Sequence, residues 1–198
     1  MRNDAELLDH ILNHIDEGTT DLGEEDWHEP VENYASQTRF DAERRLMRRL
    51  PVAFCPVAAL PDPGSYVARA SAGVPIVVVR DLSGTIRAFR NACRHRGMQL
   101  AEGSGCTKIF RCTYHGWAYR LDGRLEYVPH EHGFPELDKD SNGLVPVHDV
   151  TIQSGLVFVT QDEPVGAGAL ESLPELLTDD QVLFDSNESV DDINWKLT

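Results

Sequence analysis

The first hydrophobic pattern along the chain lies close to its amino terminus. Five aliphatic side chains recur there with the 3.6-residue period of an amphipathic helix: Leu7, Leu8, Ile11, Leu12 and Ile15. Asn3 or Asp4 can cap the start of such a helix, and Gly18 stands where it would stop. The pattern therefore predicts one amphipathic helix that ends before Gly18.

A second, shorter helix is predicted after an acidic stretch without periodicity, residues 19–37, which we expect to be a loop. The sequence from Thr38 to Asp41 resembles a capping box, and Pro51 would end the helix after about Leu50. Four arginines fall within it, and we expect them to form a solvated face: Arg44, Arg45, Arg48 and Arg49.

From Leu60 onward the pattern changes to short β-rich runs separated by turn residues. Strands are predicted at 65–70, 75–80, 85–90, 107–111, 118–121, 124–128 and 156–160. Several short strands at this spacing favour a mainly β fold, an antiparallel sandwich or barrel, preceded by the N-terminal helices. Beyond Thr160 the pattern predicts an acidic connector and a weak helix around 170–177.

Composition excludes several classes of function. The 198 residues carry a formal charge of −15 and have a mean hydropathy of −0.35, as in a soluble globular protein. No run approaches the ~20 apolar residues of a membrane span, and we expect no secretory signal at the amino terminus. A strongly acidic chain is also a poor nucleic-acid binder, because phosphate contacts dominate that affinity.

The charge is uneven, however. Residues 85–125 contain eight basic and two acidic side chains, whereas residues 1–50 and 161–198 are strongly acidic. The acidic chain therefore has a basic centre.

Two clusters of metal-ligating residues lie within this basic centre. Cys93-x-His95 and Cys112-x-x-His115 are separated by 16 residues, and each supplies one thiolate and one imidazole. One reading is a tetrahedral zinc site, although zinc fingers usually pair Cys with Cys and His with His. Another is that the four residues are unrelated. The third, which we favour, is a [2Fe–2S] cluster with two Cys on one iron and two His on the other, the Rieske arrangement.

The sequence on either side of the two clusters resembles that of one known protein family. The segments Asn91–Gly97 and Cys112–Tyr119, together with 120–125 and 155–159, are similar to the Rieske domain at the N-terminus of the large (alpha) subunit of ring-hydroxylating-type non-haem iron oxygenases. The likeness implies a Rieske-type antiparallel β-sandwich with a cluster-binding subdomain, and a [2Fe–2S] cluster held by Cys93, His95, Cys112 and His115.

We also expect specific roles for residues next to the four candidate ligands. Gly97 and Gly116 allow tight loop conformations, and Trp117 packs beneath the loops. Tyr114 is a candidate hydrogen-bond donor to a cluster or cysteine sulfur. Arg94 and Arg96, if near the cluster, favour the extra electron; otherwise they are ordinary surface charge.

The other two cysteines separate this chain from respiratory Rieske proteins. That type clamps its cluster with a disulfide from one extra Cys in each loop, where this chain has Met98 and Tyr114. We expect Cys55 to be a small buried residue and Cys106 a free thiol at a turn. This usage suits a reducing, cytoplasmic location.

Domain organisation follows from the resemblance. We expect a helical segment at 1–50, the Rieske domain at 51–160, and at 161–198 a connector entering a catalytic domain, marked by Asn194-Trp-Lys196. That further domain would hold a mononuclear non-haem iron. No histidine set within these residues resembles its site, since His10, His14, His130 and His132 are expected to be solvent-exposed. We therefore predict that these residues alone do not oxygenate substrate.

The functional expectation is electron transfer within a terminal mono- or dioxygenase that hydroxylates a small organic substrate with O2. A stand-alone Rieske ferredoxin-like carrier is the alternative. No nucleotide-binding signature is present, so electrons must come from a separate ferredoxin or reductase. The resemblance implies a homotrimer or hetero-hexamer for the full-length protein.

Overall fold

A computed structural model describes residues 3–23, 25–166, 168–178, 180–185 and 196 of the chain. It divides into two compact units, residues 1–36 and residues 37–198. Of the motif at 194–196 that we expected to mark the entry to a catalytic domain, only Lys196 lies within the described residues.

The first unit contains the predicted amphipathic helix. Helix α1 spans Asp4–Glu17, and Gly18 ends it in the left-handed conformation at φ 61°. Asn3 caps its start by accepting from the backbone N–H of Glu6, whose carboxylate accepts from the Asn3 N–H in return. Helix α2, Glu32–Ala35, lies within the stretch that we expected to be a loop.

Helix α3 opens the second unit and spans Gln37–Met47. The predicted capping box is wrong, because Thr38 already lies inside the helix and the Asp41 carboxylate accepts from the side chain of Gln37 at 3.0 Å. The predicted solvated arginine face is also wrong in part. Arg48 donates to the Ala72 carbonyl at 3.1 Å. This hydrogen bond connects the segment after α3 to the turn between β2 and β3.

Ten strands form three antiparallel sheets within the described residues. Their bounds are β1 Val52–Pro56, β2 Ser65–Ser71, β3 Val74–Arg80, β4 Ile86–Arg90, β5 Gly103–Cys106, β6 Phe110–Arg111, β7 Ala118–Tyr119, β8 Leu125–Tyr127, β9 Asp149–Gln153 and β10 Leu156–Thr160. The orders are β1-β10-β9, β4-β3-β2-β5 and β6-β7-β8. The expected antiparallel β architecture with N-terminal helices is confirmed.

Strand β3 is central because it is buried on both faces. Ile76 and Val78 pack into one core, shared with β1 and β10, while Val77 and Val79 pack into a second core that reaches the two ligand loops. Alternate residues of a strand point to opposite faces. The continuous apolar sequence of β3 thus connects the core formed with β1 and β10 to the core that contains Cys93 and Cys112.

The remaining differences from prediction concern weakly patterned segments. Strands β1, β5 and β9 were not predicted, and the predicted strand at 107–111 is reduced to β6. The expected weak helix around 170–177 is absent from the described residues there, which form turns and irregular structure.

Candidate metal centre

Two loops with the same backbone pattern carry the four candidate ligands. In the first, Cys93 N–H donates to the Met98 carbonyl at 2.8 Å, and Gly97 N–H returns to the Cys93 carbonyl at 2.8 Å. In the second, Cys112 N–H donates to the Trp117 carbonyl at 2.8 Å, and Gly116 N–H to the Cys112 carbonyl at 3.0 Å. The chain therefore presents its cysteines on two equivalent turns, although the spacing to the histidine differs by one residue.

The glycine in each loop closes this turn. Gly97 has φ 72° and Gly116 has φ 74°, in the left-handed region where a Cβ is strained. At Gly116 a Cβ would also lie 3.0 Å from Cγ of Pro129. Both glycines therefore adopt the backbone conformation that the tight loops require.

The loops bring the four predicted side chains together. Cys93 and Cys112 are buried, each 3% exposed, while His95 is half-buried and His115 is exposed. The two imidazole rings lie 4.6 Å apart at 66°. The arrangement thus has a buried thiol side and an imidazole side that opens to solvent at His115.

One buried polar atom lacks a partner in a way that fits a bound metal. Nδ1 of His95 is buried and makes no hydrogen bond, and such atoms in folded proteins are normally satisfied. Burial, His115 and Arg96 all lower the pKa of His95, which favours the neutral imidazole that ligates metals. A buried imidazole nitrogen without a hydrogen-bond partner fits the chemistry of a metal ligand.

The distances between candidate donor atoms distinguish a site for a single metal ion from a site for a metal cluster. Among the described residues, only His10, His14 and Asp21 bring three candidate donor atoms within 4.8 Å of one another. No three of the four loop ligands meet that limit. Donors at the roughly 2.0–2.3 Å bond lengths of one zinc ion would all lie closer than that, so the four loop residues are not arranged around a single zinc ion.

Aromatic rings fix the half-buried imidazole. Trp117 is 4% exposed and stacks on His95 at 5.0 Å and 7°, while Phe134 meets His95 edge-on at 6.1 Å. Trp117 is therefore core beneath the loops, as predicted. Phe134, on the segment after β8, carried no signal in the sequence.

The hydroxyl nearest a candidate sulfur belongs to Tyr119. Its oxygen lies 3.2 Å from Cys93 Sγ and accepts the Arg94 N–H at 2.9 Å. Since the oxygen accepts from the backbone, its own proton is available to the sulfur. Burial and the hydrogen bond with Cys93 raise the pKa of Tyr119, so the phenol stays protonated.

Tyr114, the tyrosine that the sequence suggested as this donor, is 58% exposed and stacks on His115 at 3.8 Å. Tyr119 is fully buried on β7. Its place two residues after Trp117 puts it on the inward face of that strand, a signal that strand alternation could have supplied.

Asn91 holds the far end of the first loop. Its buried Oδ1 accepts from the N–H groups of Leu100 and Ala101 at 2.9 and 3.2 Å, and its Nδ2 donates to the Ala101 carbonyl at 2.7 Å. The amide of Asn91 thereby closes the segment that contains Cys93 and His95. Its role in the site was not predicted.

The remaining candidates are the two loop arginines and the two other cysteines. Arg94 and Arg96 are exposed. Burial raises the pKa of Cys55 to about 11, as expected for a buried inert thiol. Cys106 is an exposed free thiol at the end of β5 rather than in a turn.

The histidines outside the two loops behave differently from one another. His130 and His132 are exposed, as predicted. The expectation of solvent-exposed His10 and His14 is wrong, because their side chains are only 26% and 25% exposed and converge on Asp21.

Comparison with known protein families places these loops in one domain. Residues 51–145 match the family described as the Rieske [2Fe-2S] domain. The match begins at Pro51, just before β1, and ends beyond both ligand loops. In the described residues no helix has the length and apolar character needed to cross a membrane.

Individual relatives extend the comparison. The chain is 33% identical over 165 residues to the carnitine monooxygenase oxygenase subunit of Escherichia coli K12, a match covering 77% of this chain and 44% of that protein. It is 40% identical over 105 residues to the biphenyl 2,3-dioxygenase subunit alpha of Rhodococcus jostii RHA1, covering 52% and 23%. The chain thus spans less than half the length of these relatives.

A solved structure gives the same picture. A quaternary ammonium Rieske monooxygenase, described in terms of carnitine oxidation and inter-subunit electron transfer, superposes with a TM-score of 0.65 at 30% identity. The superposition covers 73% of this chain and 39% of that one.

Proposed function

This chain carries a Rieske [2Fe–2S] domain and is related to the alpha subunits of Rieske oxygenases, and from that premise we propose that it is the electron-input part of a terminal oxygenase. The proposed activity of the full-length protein is hydroxylation of a small organic substrate with O2. Carnitine and biphenyl are the substrates named for two relatives. The observation that carries the proposal is the pair of equivalent loops that bring two buried cysteines to two histidines.

The proposed ligands divide into two pairs with different surroundings. Cys93 and Cys112 are buried on the core side, and His95 and His115 lie on the outer side. When bound, a [2Fe–2S] cluster with two histidine ligands accepts and returns one electron at a potential of roughly −150 to +300 mV. The buried thiols shield one side of the site from water, so the exposed imidazole of His115 is the side from which an electron can leave.

Surrounding groups of the chain act on the ligands. With Cys93 as a thiolate ligand, the Tyr119 hydroxyl would donate to its Sγ, and this bond would stabilise the more negative, reduced state. Trp117 and Phe134 hold the His95 ring and exclude water from one of its faces. Arg94 and Arg96 place exposed positive charge beside the first loop, where it would attract an acidic electron donor.

The proposal extends to partners and location. Electrons would come from a ferredoxin or a reductase, because the sequence has no nucleotide-binding signature. The full-length protein would be a homotrimer or hetero-hexamer, with the mononuclear non-haem iron in a domain that follows residue 198. Residues 1–198 alone would then lack oxygenase activity. The two cysteines outside the proposed ligand set, Cys55 and Cys106, are free thiols, which favours a cytoplasmic location.

One structural feature favours the alternative, a stand-alone carrier. The first strand of the domain, β1, pairs directly with the last, β10, from Val52–Val159 to Pro56–Leu156. The first and last strands of the β domain therefore meet in one sheet, in which β1 and β9 are the edge strands. Such a unit could carry electrons without a further domain.

Two experiments test the proposal in turn. Aerobically purified chain should be coloured and contain two irons and two acid-labile sulfides, and colourless, zinc-loaded protein would contradict the Rieske assignment. The source gene should then be read beyond codon 198 and its whole product assayed, with a reductase and NADH, for substrate-dependent O2 consumption. A stop codon at that point in the native gene would favour the carrier instead.

A further inference from the structure

A second group of metal-ligating side chains lies within the first unit, apart from the two loops. His10 and His14 are one turn apart on α1, and Asp21 follows the helix after the Gly18 cap. The Nε2 atoms of the two histidines lie 3.2 Å apart. Oδ1 of Asp21 lies 2.9 Å from His10 Nε2 and 3.3 Å from His14 Nε2. Three donor atoms therefore form a compact triangle.

The size of this triangle matches the coordination shell of one ion. Ligands at about 2.0–2.2 Å from a transition-metal ion, with bond angles between octahedral and tetrahedral values, lie roughly 2.8–3.6 Å from each other. All three measured separations fall in that interval. When the histidines carry a proton on Nε2, the same triangle is held by hydrogen bonds to Asp21, whose Oδ2 also lies 2.9 Å from His10 Nε2. An ion would take the place of those protons.

A hydroxyl next to the helix end orients one of the two rings. Nδ1 of His14 lies 2.8 Å from Thr19 Oγ1. When Nδ1–H donates to this hydroxyl, Nε2 carries the lone pair and faces Asp21. An outer hydrogen bond of this kind is how proteins fix the tautomer of a metal-ligating histidine.

We propose that His10, His14 and Asp21 bind a divalent transition-metal ion such as Zn²⁺ through two Nε2 atoms and one carboxylate. Two imidazoles and a carboxylate are a donor set that suits such ions rather than Ca²⁺ or Mg²⁺. The side chain of Asp21 is 73% exposed, so the ion would remain open to water on that side.

The site has a structural consequence for the first unit. Gly18 and Thr19 reverse the chain immediately after α1, and Asp21 returns to its side. An ion held by two helix residues and one residue beyond the cap would cross-link the helix to this returning segment. Binding should therefore stabilise the end of α1.

The test uses the whole chain in its cluster-loaded form, with visible absorption followed to show that the cluster stays intact. Zn²⁺ is added, and bound zinc is measured by equilibrium dialysis and X-ray absorption at the zinc edge. We expect one zinc ion with nitrogen and oxygen neighbours at about 2.0–2.2 Å and no sulfur at about 2.3 Å. A shell containing sulfur, or no binding at all, would overturn the proposal.

Variants identify the ligands. His14→Gln and Asp21→Asn should each reduce the zinc association constant at least tenfold, while His28→Gln, which changes an exposed histidine of the same unit, should leave it unchanged. Asp21 lies outside the helix, so circular dichroism should show α1 intact in Asp21→Asn. Thr19→Val should lower the zinc association constant about 10–100-fold, and Thr19→Ser, which keeps the hydroxyl, should restore it. Equal loss of zinc in His28→Gln would contradict the assignment.

Discussion

The Tyr119 hydroxyl lies 3.2 Å from Sγ of Cys93 and accepts the backbone N–H of Arg94, so its proton is available for donation to a cysteine thiolate. Removing it with Tyr119→Phe should lower the reduction potential, because the hydrogen bond favours the more negative state. The expected shift is some tens of millivolts, since about 60 mV corresponds to about 1.4 kcal/mol in a one-electron couple. A redox titration followed by visible absorption measures it.

Tyr114→Phe is the matched control for that titration. Tyr114 is exposed and stacks on His115, so loss of its hydroxyl should leave the potential close to that of the unmodified protein. A larger shift for Tyr114→Phe than for Tyr119→Phe would mean that the wrong tyrosine has been assigned to the sulfur.

Exchange of a proposed histidine ligand for cysteine should lower the potential further. His115→Cys replaces a neutral ligand with an anionic thiolate, and the electron then enters a more negative centre. The exposed position of His115 leaves room for this substitution. If a cluster assembles and its potential stays constant or rises, His115 is not a ligand.

The exposed arginines of the first loop should govern donor docking. Arg94→Gln combined with Arg96→Gln should slow electron transfer from an acidic ferredoxin at low salt, and the difference should shrink as salt screens the charges. Stopped-flow reduction at several ionic strengths measures this effect. Arg45→Gln, an exposed change on α3, is the control; equal rates for the double variant and this control at low salt would exclude the docking role.

Asn91 should stabilise the first loop through three hydrogen bonds. Asn91→Ala leaves two half-buried backbone N–H groups and one carbonyl without that partner, which should cost about 1–3 kcal/mol and hasten cluster loss. Urea unfolding measures the loss of stability, and the decay of visible absorption measures the rate of cluster loss. If Asn91→Ala matches the original protein in both, Asn91 does not anchor the loop.

Acid stability should depend on Asp81, which is 4% exposed in the turn between β3 and β4. Although burial raises its pKa, hydrogen bonds from Ser83, Arg87 and Thr85 outweigh that effect and lower it to about 2. The ionised carboxylate therefore contributes stability, about 2 kcal/mol, that is complete above the unfolded pKa and is lost as pH falls through about 4 toward 2.

Asp81→Asn should remove that contribution. The variant should be less stable at neutral pH, and the difference from the original protein should narrow as the pH falls below 4. Urea unfolding across this pH range measures it. As a control, Asp62→Asn changes an exposed carboxyl in another turn and should have little effect on the free energy of unfolding. If Asp81→Asn lowers that free energy by the same amount at every pH, ionisation of Asp81 is not the source of the stability.

The proposed ligands could be read from the sequence because metal ligation requires particular side chains at fixed spacing. Cys93-x-His95 and Cys112-x-x-His115 showed where the loops are, and strand alternation together with turn residues showed most strands. Partners that depend on packing were missed. Tyr119 reaches Cys93 across 26 positions of sequence, and Phe134 reaches His95 from a segment without regular pattern.

Errors in the helices and connector have a similar cause. Arg48 looks like surface charge locally, yet the Ala72 carbonyl lies within reach of its guanidinium only after folding. His10 and His14 look like an exposed pair on a helix, and only the reversal at Gly18 brings Asp21 to them. Local patterns contain no information about such non-local contacts.

The most direct test of the central claim is nitrogen hyperfine spectroscopy on the reduced chain, with iron and sulfide analysis on the same sample. Two irons, two sulfides and couplings from two histidine nitrogens are expected, with the couplings reduced to one in His115→Cys. A spectrum without histidine nitrogen couplings, or protein that contains zinc in place of iron, would contradict the assignment of Cys93, His95, Cys112 and His115 as ligands of a Rieske cluster.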